Sequence, residues 1–249
     1  MRHIFNIFLI SLFIFAFSTT SQADDTLVAH WSFEEGSGTD TEDLSGNGND
    51  GILNGAAEWG EGKVGQGLKF TRDGQGFVQI PDSESLDVSE QITISAWIKP
   101  TDIYIGDAWQ ERNCIVAKLR AYYLDINETG NLACYLYNVQ PQQWLIGEID
   151  MTKFIGQWVH VAAVYDGSEH RLYINGELDV SESKSGNITV NEEPLTIGWV
   201  DNNRYFEGII DEVQIWSRAL DEDELFGLMP VEYQNKLAVS WGRAKGYQK

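Results

Sequence analysis

Short runs rich in β-branched, aliphatic and aromatic residues recur along the chain, and Gly, Asn, Asp and Ser stand between them. This pattern is typical of β-strands joined by tight turns. Hairpin turns are expected at Asp166-Gly167 and Asn175-Gly176. Strands are predicted at 27–33, 77–80, 92–99, 114–118, 122–126, 132–137, 158–165, 171–174, 195–200 and 208–216.

About ten to thirteen strands at this spacing predict an all-β fold, a two-sheet antiparallel sandwich. One short helix is expected near the C-terminus, where Asp221 can cap it and Glu224 completes a capping box. Leu225 and Leu228 give this helix an apolar side, and Pro230 ends it. A chain of 249 residues can bury such a core without a metal or a disulfide.

The first 23 residues have the pattern of a secretory signal peptide. An apolar run over 4–17 follows a short basic start, and Ser21 and Ala23 are the small residues expected before a cleavage site. The run is shorter than the roughly 20 residues of a membrane span. We therefore predict a signal peptide over 1–23 and a protein that is secreted, periplasmic or on the cell surface, with no transmembrane anchor after cleavage.

The remaining chain divides into one predicted domain over 24–229 and a tail over 230–249. The tail could be a flexible extension or could add an edge strand over 237–241. Its composition is basic, with Lys236, Arg243, Lys245 and Lys249.

The whole chain carries 38 acidic and 17 basic residues, which gives a net charge of −21. Such a polyanion repels nucleic acid and anionic lipid, so neither is an expected partner. The excess of acidic residues also provides many carboxylates that could bind cations.

Two cysteines, Cys114 and Cys134, could form a disulfide in an exported protein. The segments 114–118, 121–126 and 131–137 would form a meander, in which the second strand separates the first from the third. Two strand spacings amount to about 9.6 Å, beyond the reach of a disulfide. A disulfide and a pair of buried free thiols both stay open.

Five segments, taken in order, carry a resemblance to one family. They are 31–38, 43–51, 65–70 with 92–100, 158–167 with 172–176, and 208–216 with 218–220. Two of them contain Asp43-Leu44-Ser45-Gly46-Asn47-Gly48 and Asp211-Glu212-Val213-Gln214-Ile215-Trp216. Over residues 27 to 228 the chain resembles the LamG-like jelly roll of the concanavalin A-like lectin/glucanase superfamily. The resemblance implies a two-sheet jelly roll and a module that binds sugars or proteins, often with calcium.

The loop at Asp43, Ser45 and Asn47 places side-chain oxygens at alternate positions before Gly48. Calcium-binding loops use oxygens at such positions, so a Ca²⁺ site is one interpretation. The other is a turn held by side-chain hydrogen bonds, in which glycine supplies a positive φ.

Asp211 is a second candidate ligand for this Ca²⁺ ion. Strict alternation would place it on one face with Ile209, Val213 and Ile215, where a core is expected. A buried carboxylate needs a cation or hydrogen-bond donors. The family resemblance implies that this residue lies near the Asp43 loop, so both explanations stay open.

Glycosidases of the resembled superfamily carry Glu-x-Asp followed by a second Glu, because retaining hydrolysis needs two carboxylates at a fixed separation. Glu148 and Asp150 match the first part, but Thr152 and Lys153 occupy the region of the second Glu. No catalytic residue is therefore predicted.

Aromatic residues in predicted loops are candidate ligand-binding residues, because rings beside polar groups can stack on sugars. These rings could instead anchor the loops over the edge of the sandwich. The candidates are Tyr104, Trp109, Trp144 and Tyr205.

Together these features predict a non-catalytic binding module that recognises a glycan, such as a polysaccharide, or a cell-surface protein, with possible help from calcium. One alternative is an adhesion module without a sugar site. The other is a glycoside hydrolase of the same superfamily.

Overall fold

The predicted strands form in the computed structural model, which describes residues 24–106 and 112–229. Two short 3₁₀ turns cover Glu84–Leu86 and Met151–Phe154, and one helix, α1, covers Glu222–Gly227. The strands of this part of the chain are β1 Leu27–Trp31, β2 Asp40–Thr41, β3 Gly51–Asn54, β4 Glu58–Glu61, β5 Gln66–Phe70, β6 Phe77–Ile80, β7 Ile92–Pro100, β8 Asn113–Lys118, β9 Tyr122–Ile126, β10 Asn131–Leu136, β11 Leu145–Asp150, β12 Val159–Tyr165, β13 Glu169–Ile174, β14 Glu177–Ser183, β15 Leu195–Ile197, β16 Trp199–Val200, β17 Arg204–Tyr205 and β18 Gly208–Trp216.

The strands assemble into two large antiparallel sheets. The first sheet has the order β14-β13-β12-β7-β18-β5-β4, and β1 also pairs with β18. The second sheet has the order β11-β10-β9-β8-β15-β6-β3-β2. A small ribbon of β16 and β17 follows β15. The predicted two-sheet sandwich is confirmed.

The main core lies between the two sheets, because every second residue of a strand points inward. Ile94 and Val161 belong to the first sheet, and Leu124 and Ile197 belong to the second; all four are fully buried in the same cluster. Burial of apolar surface on this scale is the main term that stabilises a sandwich.

The predicted hairpin between β13 and β14 turns at Asn175 and Gly176, whose φ values are 53° and 77°. This pair of left-handed residues matches the twist of an antiparallel hairpin. The predicted helix is also confirmed. The Asp221 carboxylate accepts a hydrogen bond from the backbone of Glu224, whose side chain accepts one from the backbone of Asp221.

Several strands that the sequence did not predict are short or polar, such as β2, β4 and β14. They form because neighbouring strands offer edges to pair with. Among residues 24–106 and 112–229, no helix is long and apolar enough to cross a membrane. The predicted signal peptide over 1–23 and the tail over 230–249 lie outside the described residues.

Candidate functional site

The outer face of the second sheet carries a cleft of about 410 Å³, which we call the Trp144 cavity. Strands β9 and β10 form its floor, and its walls come from Arg112, the turn between β8 and β9, the loop before β11 and the segment around β16 and β17. Its lining residues are Arg112, Leu119, Arg120, Tyr123, Tyr135, Tyr137, Trp144, Asp201 and Arg204.

Alternation along β9 explains why this floor is aromatic. Leu124 and Ile126 point into the main core, so Tyr123 and Asp125 point to the opposite face. Tyr123 there belongs to a separate apolar cluster with Cys114 and Val200 beneath the cavity. The same strands therefore build the core on one face and the cavity on the other.

Four rings form a contiguous group in the cavity. Tyr123 is stacked against Trp144, with ring centroids 6.0 Å apart and an interplanar angle of 20°. Tyr135 lies 5.0 Å from Trp144 and 4.8 Å from Tyr137, measured between ring centroids. Tyr123 is buried, while the other three rings are half-buried and contribute surface to the cleft. Edge-to-face and offset contacts of this kind hold aromatic groups in fixed orientations.

A buried charge network supports Trp144 from below. The guanidinium of Arg112 lies 3.8 Å from the centroid of the Trp144 ring, a cation–π distance. Its Nη1 lies 3.4 Å from Asp125 Oδ2, and its Nε lies 2.8 Å from Glu128 Oε2. Burial raises the pKa of Asp125 to about 6, although Arg112 and Arg204 oppose the rise.

A second cleft, of about 350 Å³, lies near the β16–β17 ribbon, and we call it the Tyr205 cavity. Two of the predicted ligand-binding residues, Tyr104 and Tyr205, line it together with Arg72 and Asn203. Tyr205 was expected in an exposed loop, but it lies in β17, is 8% exposed and stacks on Trp199 at 6.0 Å between centroids.

The structure thus divides the predicted aromatic residues between two clefts. Trp144 lines the first cavity, whereas Tyr104 and Tyr205 line the second. Trp109 lies outside the described residues. Their role in ligand binding stays a prediction.

In the predicted calcium loop, the Asp43 carboxylate accepts four hydrogen bonds from the protein. Its Oδ1 accepts from the backbone of His30 and Ser45 at 2.9 Å each. Its Oδ2 accepts from the Ser45 hydroxyl at 2.7 Å and from the backbone of Asn49 at 3.0 Å. The Asn47 amide donates to the carbonyls of Leu27 and Val28 at 3.0 Å each and ties the loop to β1.

Asp211 is buried, as expected, but its position in the sheet differs from the prediction. The pairing of β18 with β7 shifts between Asp211 and Gln214, and Glu212 has a φ of 50°, which marks a β-bulge. The extra residue breaks the alternation, so Asp211 does not share the core face with Val213 and Ile215.

Backbone donors surround the Asp211 carboxylate. Its Oδ2 accepts from the N–H groups of Lys63 at 2.7 Å and Val64 at 3.0 Å, and its Oδ1 accepts from Glu212 N at 2.8 Å. Burial raises its pKa to about 7, and these hydrogen bonds oppose the rise. The hydrogen-bond donors to Asp211 and to Asp43 come from different residues.

Across 24–106 and 112–229, no group of three or more His, Cys, Asp or Glu residues has the arrangement of a metal site. The calcium hypothesis for Asp43, Ser45, Asn47 and Asp211 stays a prediction.

Both cysteines are buried and free. The strand order β8-β9-β10 confirms the predicted meander. Cys114 pairs with Asp125 and belongs to the outer cluster, whereas Cys134 pairs with Leu124 and belongs to the main core. The thiols therefore lie on opposite faces of the second sheet.

Of the two acidic residues of β11, Glu148 and Asp150, Asp150 has a structural role. Asp150 caps the turn Met151–Phe154, and its Oδ1 accepts from Thr152 N at 2.9 Å and from Thr152 Oγ1 at 2.6 Å. These bonds lower the pKa of Asp150. Glu148 is exposed on the same strand.

The sequence pattern indicated Trp144 as a ligand-binding residue but did not indicate the aromatic residues around it. Tyr123, Tyr135 and Tyr137 lie in or beside strands, where an aromatic residue is usually assigned to a core. Alternation against the apolar positions 124, 134 and 136 was the signal that could have placed them outside.

A family model described as the concanavalin A-like lectin/glucanases superfamily, of laminin G type, matches residues 72–226. Pappalysin-1 of Mus musculus is 36% identical over 75 residues, which cover 28% of this chain and 5% of pappalysin-1. The chain thus matches only a small fraction of that relative's length.

Two solved structures resemble the whole sandwich. The binding domain of Paraclostridial Mosquitocidal Protein 1 has a TM-score of 0.68 and 21% identity, covering 83% of this chain and 52% of that one. Domain 4 of an extracellular arabinanase from Geobacillus stearothermophilus, in complex with arabinotriose, has a TM-score of 0.62 and 24% identity. That match covers 82% of this chain and 98% of the arabinanase domain. At these identities the likeness concerns the fold.

Proposed function

We propose that this chain, which belongs to the concanavalin A-like lectin/glucanase superfamily, is a non-catalytic module that binds glycan in the Trp144 cavity. The observation that carries the proposal is the group of four touching rings on the outer face of the second sheet. Fold alone does not assign a function, so the argument rests on this site.

The cavity has the composition of a sugar site. Three half-buried rings offer apolar surface on which the C–H face of a sugar can pack, and charged groups at the walls can bind hydroxyls. The sheet beneath and the Arg112 network hold Trp144 in place. A preformed platform loses little conformational entropy when a ligand binds.

The comparisons support the class of function. A domain of the same fold was solved with arabinotriose, and another is the binding domain of a mosquitocidal protein. The sequence after Glu148 and Asp150 supports a non-catalytic role, because Thr152 and Lys153 stand where a second Glu would be expected and Thr152 donates to Asp150 Oδ1.

We extend the proposal to export, on the basis of the signal-like pattern over 1–23. N-terminal sequencing of the protein from the culture medium or periplasm should begin at Asp24. Recovery of Met1 on the exported protein would contradict cleavage.

A glycan array, run with and without calcium, tests the function. We expect at least one saccharide to bind, with affinity reduced about tenfold or more in Trp144→Ala. Tyr104→Ala, in the Tyr205 cavity, is the matched aromatic control and should bind like the wild type. Loss of binding only in Tyr104→Ala would move the site to the other cleft.

Two results would replace the proposal. Release of reducing sugar from a bound polysaccharide would make the chain a hydrolase. Capture of a cell-surface protein that saccharides do not compete away, together with a blank array, would make it an adhesion module without a sugar site.

A further inference from the structure

The arginines of this acidic chain are unevenly distributed. The sequence contains eight arginines, in a chain whose net charge is −21. Three of them, Arg112, Arg120 and Arg204, line the Trp144 cavity. Solubility does not explain why three guanidinium groups lie in one cleft of such an acidic chain.

Two of these arginines are balanced by carboxylates of the protein. Arg112 is 4% exposed and lies between Asp125 and Glu128. Arg204 is 5% exposed, and its Nη1 lies 3.6 Å from Asp201 Oδ1. Buried cations need such partners, so these two residues are explained by the architecture of the cavity.

Arg120 differs in exposure and in charge balance. It lies in the turn between β8 and β9, and its side chain is exposed at the cavity. Among the described residues, no carboxylate forms an ion pair with its guanidinium. Within the part of the chain that the structure describes, Arg120 is therefore the one arginine of the cavity without a carboxylate partner of its own.

The backbone of Arg120 is held against the aromatic floor. Its φ is 59°, a left-handed conformation that non-glycine residues seldom adopt. Its backbone N–H donates to the Tyr123 hydroxyl at 2.9 Å. One hydrogen bond thus joins the turn that carries Arg120 to the ring group on which a sugar would stack.

We infer that the Trp144 cavity selects saccharides that carry a carboxylate or sulfate group and that the Arg120 guanidinium binds this group. The inference rests on the proposed function of the cavity as a glycan site. A guanidinium forms paired hydrogen bonds with the oxygens of both groups, which an ammonium or a neutral amide cannot reproduce.

The overall negative charge is compatible with an acidic ligand at this place. At physiological ionic strength the screening length is about 8 Å, so distant carboxylates repel a bound anion only weakly. A neutral sugar that covered Arg120 would remove water from the cation without replacing the lost interaction. Asp201, a carboxylate in the cavity lining, pairs with Arg204, whereas Arg120 has no carboxylate partner among the described residues, so the site favours an acidic sugar over its neutral counterpart.

The test compares acidic saccharides with their neutralised forms on the full chain. Uronate oligosaccharides are compared with their methyl esters, and sulfated glycans with their desulfated forms, first on an array and then by calorimetry. We expect the acidic member of at least one pair to bind about tenfold more tightly, because hydrogen bonds to charged groups are the strong ones. The uronate and sulfate arms identify which group is recognised.

Variants separate this inference from the proposed function. Arg120→Gln should lower affinity for the acidic form about tenfold without lowering affinity for the neutral form, and so remove the preference, whereas Arg120→Lys should keep part of it. Lys153→Gln, which removes an exposed cation outside the cavity, is the charge-matched control and should bind like the wild type. Melting curves confirm that each variant is folded.

Three outcomes would overturn the inference. Equal binding of acidic and neutral forms, lost in Trp144→Ala, would refute acid selection while the cavity stays a glycan site. A preference retained in Arg120→Gln would refute the role of Arg120. Binding of no saccharide, or binding that Trp144→Ala leaves unchanged, would refute the proposed function and with it the acid selection.

Discussion

Replacing His170 by Phe should remove a pH-dependent loss of stability. His170 is 1% exposed, and neither of its ring nitrogens has a hydrogen-bond partner among the described residues. Burial, followed by the charge of Lys184, lowers its pKa to about 3. An unfolded histidine titrates near pH 6.5. The unfolded state therefore binds a proton first, and this residue destabilises the fold as the pH falls below about 6.5.

The magnitude follows from the two pKa values. At pH 5.5 the unfolded histidine is protonated about ten to one, whereas folded His170 is still neutral, so the free energy of unfolding falls by about 1.4 kcal/mol relative to pH 7.5. Burial raises the pKa values of Asp125 to about 6 and of Asp211 to about 7, which has the opposite sign in this window. Only the difference between wild type and variant isolates the histidine.

Urea denaturation at pH 7.5 and 5.5, at constant salt and followed by Trp fluorescence, measures this difference. On acidification, His170→Phe should gain about 1.4 kcal/mol of stability relative to wild type. Tyr165→Phe is the control, because it removes a 2.7 Å hydrogen bond to Gly186 O and should lower stability equally at both pH values. His170→Gln serves if the Phe variant does not fold. A stability difference that does not change with pH would mean that folded His170 already binds the proton, which would refute the burial argument.

Three further predictions concern Asp211, calcium and the thiols. Asp211→Asn should lower the free energy of unfolding by about 2 kcal/mol in urea, because an amide cannot accept at both ends from three backbone donors. The calcium hypothesis predicts that metal-stripped protein melts higher when calcium is added, with a smaller rise in Asp43→Asn; an unchanged melting temperature contradicts it. A thiol reagent should find no reactive cysteine in the native protein and two after denaturation. Burial raises the pKa of Cys114 and Cys134, which keeps both thiols unreactive in the fold; a disulfide would leave no thiol to detect.

Alternation and turn residues were enough to predict most strands that have an apolar face. The bounds of Phe77–Ile80, Tyr122–Ile126 and Gly208–Trp216 agree with the prediction. These strands have an apolar face that must be buried, so their sequence carries a period of two. A two-residue strand such as Asp40–Thr41 has no such period, and it forms because β3 offers an edge beside it.

The position of Asp211 could not be read from alternation. One extra residue at the bulge moves every later side chain to the other face of the sheet. The bulge is formed by Asp211 and Glu212, so no glycine marks its position in the sequence. The donors that stabilise Asp211 come from Lys63 and Val64, which are far away in sequence. Only the pairing of β18 with β5 brings these segments together.

Of the residues that line the Trp144 cavity, Trp144 alone was predicted as a ligand-binding residue, for a similar reason. A loop aromatic such as Trp144 can be recognised from its polar neighbours. Its partner Arg112 precedes β8, and Arg204 lies in β17, so their meeting depends on the order of strands in the second sheet. Register and strand order are tertiary properties that no local pattern specifies.

Successive side chains of β9 and β10 point alternately into the main core and towards the Trp144 cavity. This alternation leads to a final prediction that separates stability from binding. Leu124 is fully buried in the main core, whereas Tyr135, on the adjacent strand, points into the cavity. Leu124→Ala should lower the free energy of unfolding by about 2–5 kcal/mol, because it leaves a void between the sheets. Folded Leu124→Ala protein should still bind the array-selected saccharide with wild-type affinity.

Tyr135→Ala should have the opposite pattern, with weaker binding and a smaller loss of stability, because its ring is half-buried and lies outside the core. Urea denaturation and calorimetry on the same two variants measure both quantities. If both variants lost affinity in proportion to stability, the cavity would not be a rigid platform. Its rings would instead depend on the packing beneath them, and the argument from a preformed site would fail.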